Sequence, residues 1–70
     1  MSELLWIDEL IAHQKQKLLA LARQIVPHLT EDDLLQPNDF PALEYHPHFR
    51  YEEGVLAGML AMRAAWLAKQ

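Results

Sequence analysis

The chain predicts an all-α fold: an antiparallel helical hairpin with an ordered, proline-rich connector containing a short helix, dimerising into a four-helix bundle. Three observations carry that expectation. An apolar repeat with heptad spacing runs from Leu4 to His28. The stretch GVLAGMLAMRAAWLA, Gly54 to Ala68, is apolar nearly all round and holds one charge, Arg63. Pro27 stands near the end of the first, and Pro37, Pro41 and Pro47 lie between the two. At 70 residues the chain reads as a single helical domain over residues 1–70, and a domain that small is marginal unless stapled or oligomeric.

Helix 1 is expected from about Glu3 to Val26. Ser2 is a good N-cap, Glu3, Asp8 and Glu9 lie near the positive end of the helix dipole, and Arg23 lies near the negative end. Pro27 disfavours helical geometry at Val26 and marks the end. Leu4, Ile7, Ile11, Gln14, Leu18, Leu21, Ile25 and His28 form a heptad seam of the kind found in bundles. Leu5, Ala12, Leu19 and Val26 widen it, which suits a helix touching two neighbours.

The connector, about residues 27–49, is too long for a structureless loop in a compact domain. Thr30 followed by Glu31, Asp32 and Asp33 has the form of a helix N-cap with an acidic first turn. A short helix from Glu31 to Leu35 or Gln36 follows, stopped by Pro37. Asn38 and Asp39 read as turn residues. Each later proline pushes its predecessor towards extended geometry. Leu34, Leu35, Phe40, Leu43, Tyr45 and Phe49 are expected to pin the segment onto the bundle, with Phe40, Phe49 and Tyr51 as anchors.

Helix 2 is expected from about Arg50 to Lys69. Its small residues Gly54, Gly58, Ala61, Ala65 and Ala68 are spaced 4, 3, 4, 3. A helix-interior glycine costs about 1 kcal/mol against alanine, so two of them one turn apart imply close approach of another backbone. Val55, Met59, Met62 and Trp66 flank this seam on one side, and Leu56, Leu60 and Leu67 on the other. A helix apolar on every side must be buried on every side. One other long helix covers one face, so the remainder calls for a second copy. The expected packing interface is Gly54, Gly58, Ala61 and Ala65 on helix 2, with Ile11, Leu18, Leu21 and Ile25 on helix 1.

Composition narrows the functional classes. The chain has no Cys, which removes a disulfide framework and thiolate metal sites. At 51% hydrophobic residues it is not a disordered chain. Its net charge of −4, with no basic face, argues against nucleic acid. The run from Gly54 to Ala68 is short of the ~20 residues of a membrane span, and Glu52, Glu53 and Lys69 bound it. The acidic N-terminus does not have the basic start of a signal peptide. A cytoplasmic protein is expected.

Material for chemistry is sparse. Ser2 and Thr30 are the only hydroxyl nucleophiles beside the tyrosines, and each has a capping role. Glu52 and Glu53 are adjacent on a helix and point about 100° apart, so they read as carboxylates favoured by the dipole. Glu9 and His13, one turn apart, read as a surface pair. Glu44, His46 and His48 alternate, and an extended strand would put all three on one side, a donor set suited to Zn²⁺. The reading that follows is a small, non-enzymatic, cytosolic interaction or adaptor protein acting as a homodimer, with no cofactor. Its partners are itself and a further protein. Phe40, Tyr45, Trp6 and Trp66 are the candidate partner surface. The alternative is a metal- or small-ligand-binding protein using Glu44, His46 and His48.

Overall fold

The computed structural model describes residues 2–69, and all regular structure among them is helical. Helix α1 spans Glu3–Ile25. Two short 3-10 turns follow, Asp32–Leu35 and Pro37–Asp39, then a single-turn helix α2, Pro41–Glu44. Helix α3 spans Pro47–Ala68. The molecule is elongated, 39 × 19 × 18 Å.

The ends of α1 are set locally. The Ser2 hydroxyl accepts from the Leu5 N–H at 3.2 Å. At the other end Val26 is extended, as its following proline requires, and its N–H still reaches the Ala22 carbonyl at 2.7 Å. Arg23 does more than complement the dipole: its Nε donates to the Leu29 carbonyl at 2.9 Å and folds the chain back over the helix end.

In the connector, Thr30 and Asp33 form a reciprocal capping pair. The Thr30 N–H donates to Asp33 Oδ2 at 2.9 Å, and the Asp33 N–H donates to Thr30 Oγ1 at 3.3 Å. The turn they open is 3-10, running from Asp32 and stopping before Pro37. Pro41 occupies the first turn of α2, where its missing N–H costs nothing.

Helix α3 starts at Pro47, three residues before the expected Arg50. The reason is His46. It is extended because Pro47 follows, and its Nδ1 accepts from the Phe49 N–H at 3.2 Å, so it serves as the N-cap. Imidazole is an unusual cap, and the aromatic and proline content around it hid the boundary.

The core lies at the connector end. Leu18, Leu19 and Ala22 of α1, Leu29, Leu43 and Phe49 are buried together, with Leu21, Ile25, Val26, Leu34, Phe40 and Leu56 packed around them. Leu43 and Phe49 have no exposed surface. Of the expected pins, Leu35, Tyr45 and Tyr51 are instead exposed by 76%, 77% and 69%. Leu35 and Tyr45 fall at the ends of short turns, and Tyr51 follows Phe49 by two positions and so points away from it. Arg50 stitches the connector to α3: Nε donates to the Glu44 carbonyl at 2.9 Å, Nη1 to Glu53 Oε1 at 2.6 Å and Nη2 to Asn38 Oδ1 at 2.7 Å.

Candidate interaction surface

Helix α3 meets α1 along Phe49, Glu52, Leu56, Met59, Arg63 and Trp66, all buried or half-buried. These positions are spaced 3, 4, 3, 4 and 3, one face of the helix. Two of the six are charged, and both are matched from α1. Glu52 is buried, with a Gln14 Nε2 that donates to its carbonyl at 3.0 Å and to its Oε1 at 3.2 Å. Lys17 Nζ lies 2.8 Å from Oε2, and His48 Nε2 lies 3.8 Å from it. The bonds from Lys17 and Gln14 outweigh desolvation and hold the Glu52 carboxyl below the ordinary carboxylate range. Glu52 is therefore a packing residue of the helix interface, and Gln14, on the α1 seam, is its buried partner. Further along, Arg63 Nε donates to Asp8 Oδ1 at 2.7 Å, and that pairing holds the guanidinium above its usual range. Among the described residues no buried side-chain polar atom lacks a partner.

Among the described residues no element covers the opposite face of α3, whose edge at Ala65 borders a groove against α1. Gly54, Gly58, Ala61 and Ala65 are all exposed, and a Cβ built on either glycine would find open space. The close approach implied by these glycines is absent among the described residues. From Tyr51 to Ala68 every exposed residue is apolar or glycine, apart from the Tyr51 hydroxyl, and none is charged. Met62 is 73% exposed on one flank of this face, and Leu60 and Leu67 are exposed on the other. On α1, Ile11 and Leu18 are buried, and Leu21 and Ile25 are half-buried against the core. These four serve the chain's own packing.

Away from the connector, Trp6, Leu10 and Ile11 of α1 and Met59, Met62 and Trp66 of α3 line an open apolar groove of about 400 Å³. Trp6 and Trp66 thus share one end of the molecule, Trp6 exposed and Trp66 half-buried. Tyr45 is displayed on the connector, whereas Phe40 packs on the core.

The extended run that would put Glu44, His46 and His48 on one side does not form. Glu44 ends α2, His46 caps α3 and His48 lies in its first turn. Nδ1 of His46 is engaged with the Phe49 N–H, and His48 leans towards Glu52. Among the described residues no group of three or more His, Cys, Asp or Glu side chains converges as a metal site. No described helix is long and apolar enough to cross a membrane. Compared with protein-family models, with curated proteins and with solved structures, the chain matches none.

Proposed function

We propose that the protein is a small, non-enzymatic interaction or adaptor module of the cytoplasm. In this reading it is an antiparallel helical hairpin that acts as a homodimer, two copies closing a four-helix bundle. The observation that carries it is the uncharged outward face of α3, which spans the helix from Tyr51 to Ala68. Monomeric proteins seldom display a contiguous apolar surface of that extent without using it. Burial of that face by a second copy accounts for two glycines in a helix interior that touch nothing in their own chain. Work on a further protein falls to surface that pairing leaves open: Tyr45 on the connector and the exposed Trp6 on α1, aromatic residues of the sort that dominate binding hot spots.

Sedimentation equilibrium at micromolar concentration tests the reading. The expected mass is that of two chains, with thermal stability that rises with protein concentration because folding and assembly are linked. A folded monomer at that concentration overturns it.

A further inference from the structure

We propose that the second copy pairs with α3 antiparallel, about a two-fold axis at Ala61. This rests on the self-association reading above and adds its surface, direction and register.

The first support is the size pattern along α3. Gly54, Ala57, Gly58, Ala61, Ala64, Ala65 and Ala68 are the small residues of residues 54–68, and every other position there is large. The pattern reads the same in both directions from Ala61. An antiparallel copy centred on Ala61 therefore sets Gly54 level with Ala68, Ala57 with Ala65 and Gly58 with Ala64, small against small at every level. The seven small residues fall within about 60° of Ala61 around the helix axis, so they make one continuous face. The side facing α1 is diametrically opposite, and the only charge in the run, Arg63, is held there by Asp8. Nothing on the outward face needs a polar partner, and a second copy presents an equally uncharged one.

The second support is extent. With the axis at Ala61 the two copies of α3 overlap over residues 54–68, fifteen residues or about 22 Å, and a helix with its side chains is about 10 Å wide. Leu60, Met62 and Leu67 are exposed along its flanks and would meet the second copy's flanks.

The third support is charge, and it selects direction. The connector carries Glu31, Asp32, Asp33, Asp39 and Glu44, and the two arginines that bond to it, Arg23 and Arg50, leave that end acidic. A parallel pair would bring two acidic connectors together. An antiparallel pair sets each beside the other copy's Trp-bearing end, where Arg63 and Lys69 largely balance Glu3, Asp8 and Glu9. It also opposes the two helix dipoles, which favours the antiparallel sense.

The natural chain has no Cys, so single cysteines report the geometry cleanly. The variants are Ala61→Cys, Gly54→Cys, Ala68→Cys and, on the exposed side of α1, Ala20→Cys. Each replaces a small exposed residue, and circular dichroism verifies the fold. Under mild oxidation Ala61→Cys should form a disulfide-linked dimer about a hundred-fold faster than Ala20→Cys, because pairing raises the effective thiol concentration from micromolar towards millimolar. Gly54→Cys mixed with Ala68→Cys should give the mixed disulfide, identified by mass, while Gly54→Cys alone stays near the Ala20→Cys rate. Rapid cross-linking of Gly54→Cys alone makes the pair parallel and overturns the proposal. A dimer by sedimentation with every variant at the control rate places the interface elsewhere; the seam fails and self-association stands. A monomer by sedimentation ends both.

Discussion

The outward faces of the two long helices are opposites. On α1 the exposed residues include Glu9, His13, Lys15, Gln16, Lys17, Arg23 and Gln24, the polar surface of a helix that meets water. On α3 the charged residues Glu52 and Arg63 are turned towards α1, and the outside is Gly, Ala, Met and Leu. Similar in length, the helices bury charge differently: α1 spends its polar residues on solvent and on α3, while beyond its first two turns α3 carries a single charge, Arg63, and directs it to α1. A charge placed inward costs desolvation that only good pairing repays. The arrangement becomes intelligible if the outside of α3 is a surface where charge is tolerated even less.

The largest expected effect comes from Gly58→Leu. In an isolated chain this change is favourable. The site is open, and leucine gains roughly 1 kcal/mol of helix propensity over glycine. Against a second copy the same side chain overpacks a close crossing, at about 1–3 kcal/mol in each protomer. The two situations therefore predict opposite signs. Thermal melts at several protein concentrations are expected to show destabilisation together with a fall in sedimenting mass. A stabilised Gly58→Leu protein of unchanged mass would mean that the outer face of α3 resembles that of α1 in exposure after all.

Legibility in the sequence followed the same division. Helix α1 was readable nearly to the residue, because Ser2, the heptad seam and Pro27 are independent signals that agree. The capping role of Thr30 was readable for the same reason. The start of α3 was not, because His46 lacks the propensity of the usual caps, although its bond from the Phe49 N–H has the same local spacing as that from Leu5 to Ser2. The small-residue seam was visible as a pattern, but its direction was not: periodicity says that Gly54, Gly58, Ala61 and Ala65 share a face and is silent on which neighbour that face meets. Gln14 was on the expected seam, whereas Glu52 was read as a carboxylate favoured by the dipole. Its burial depends on Gln14, 38 residues away, and nothing local announces such a pair.

The buried Gln14–Glu52–Lys17 cluster sharpens the comparison from the inside. Gln14→Ala removes the amide that donates to the Glu52 carbonyl and to Oε1; the carbonyl keeps its place in the helix ladder, so the loss of stability falls on Oε1, left without that partner. Chemical denaturation should record that loss near neutral pH. The Glu52 carboxyl has a lower pKa folded than unfolded, so as pH falls the unfolded chain takes up the proton first. Its contribution is thus complete above the ordinary carboxylate value of 4.5 and is lost as pH drops through the lowered folded value. The stability gap between the natural chain and Glu52→Gln should close across that acid window. A gap independent of pH down to the acid transition would show that the charge on Glu52 contributes nothing to holding α3 against α1.

The smallest expected effect belongs to Asp8→Asn. Asp8 and Arg63 are both partly exposed, their side chains 45% and 35% accessible, so solvent screens most of their attraction. The folded protein should lose little stability, and the loss should vanish in about 1 M salt, where the screening length falls to about 3 Å. The consequence for the outer face is more telling. Asp8 holds Arg63 on the α1 side, and once released the long guanidinium side chain can swing towards the flank that carries Leu60 and Leu67, both near it on the helix. If that flank is buried by a second copy, a free charge there weakens pairing more than it weakens the fold. The measurement is the dimer dissociation constant of Asp8→Asn beside that of the double change with Arg63→Met, which removes the charge and keeps an apolar stem. Weakened pairing in the single variant, restored in the double, marks the ion pair as the device that keeps charge off the outside of α3. Equal dissociation constants in both variants and in the natural chain would reduce it to an ordinary surface pair.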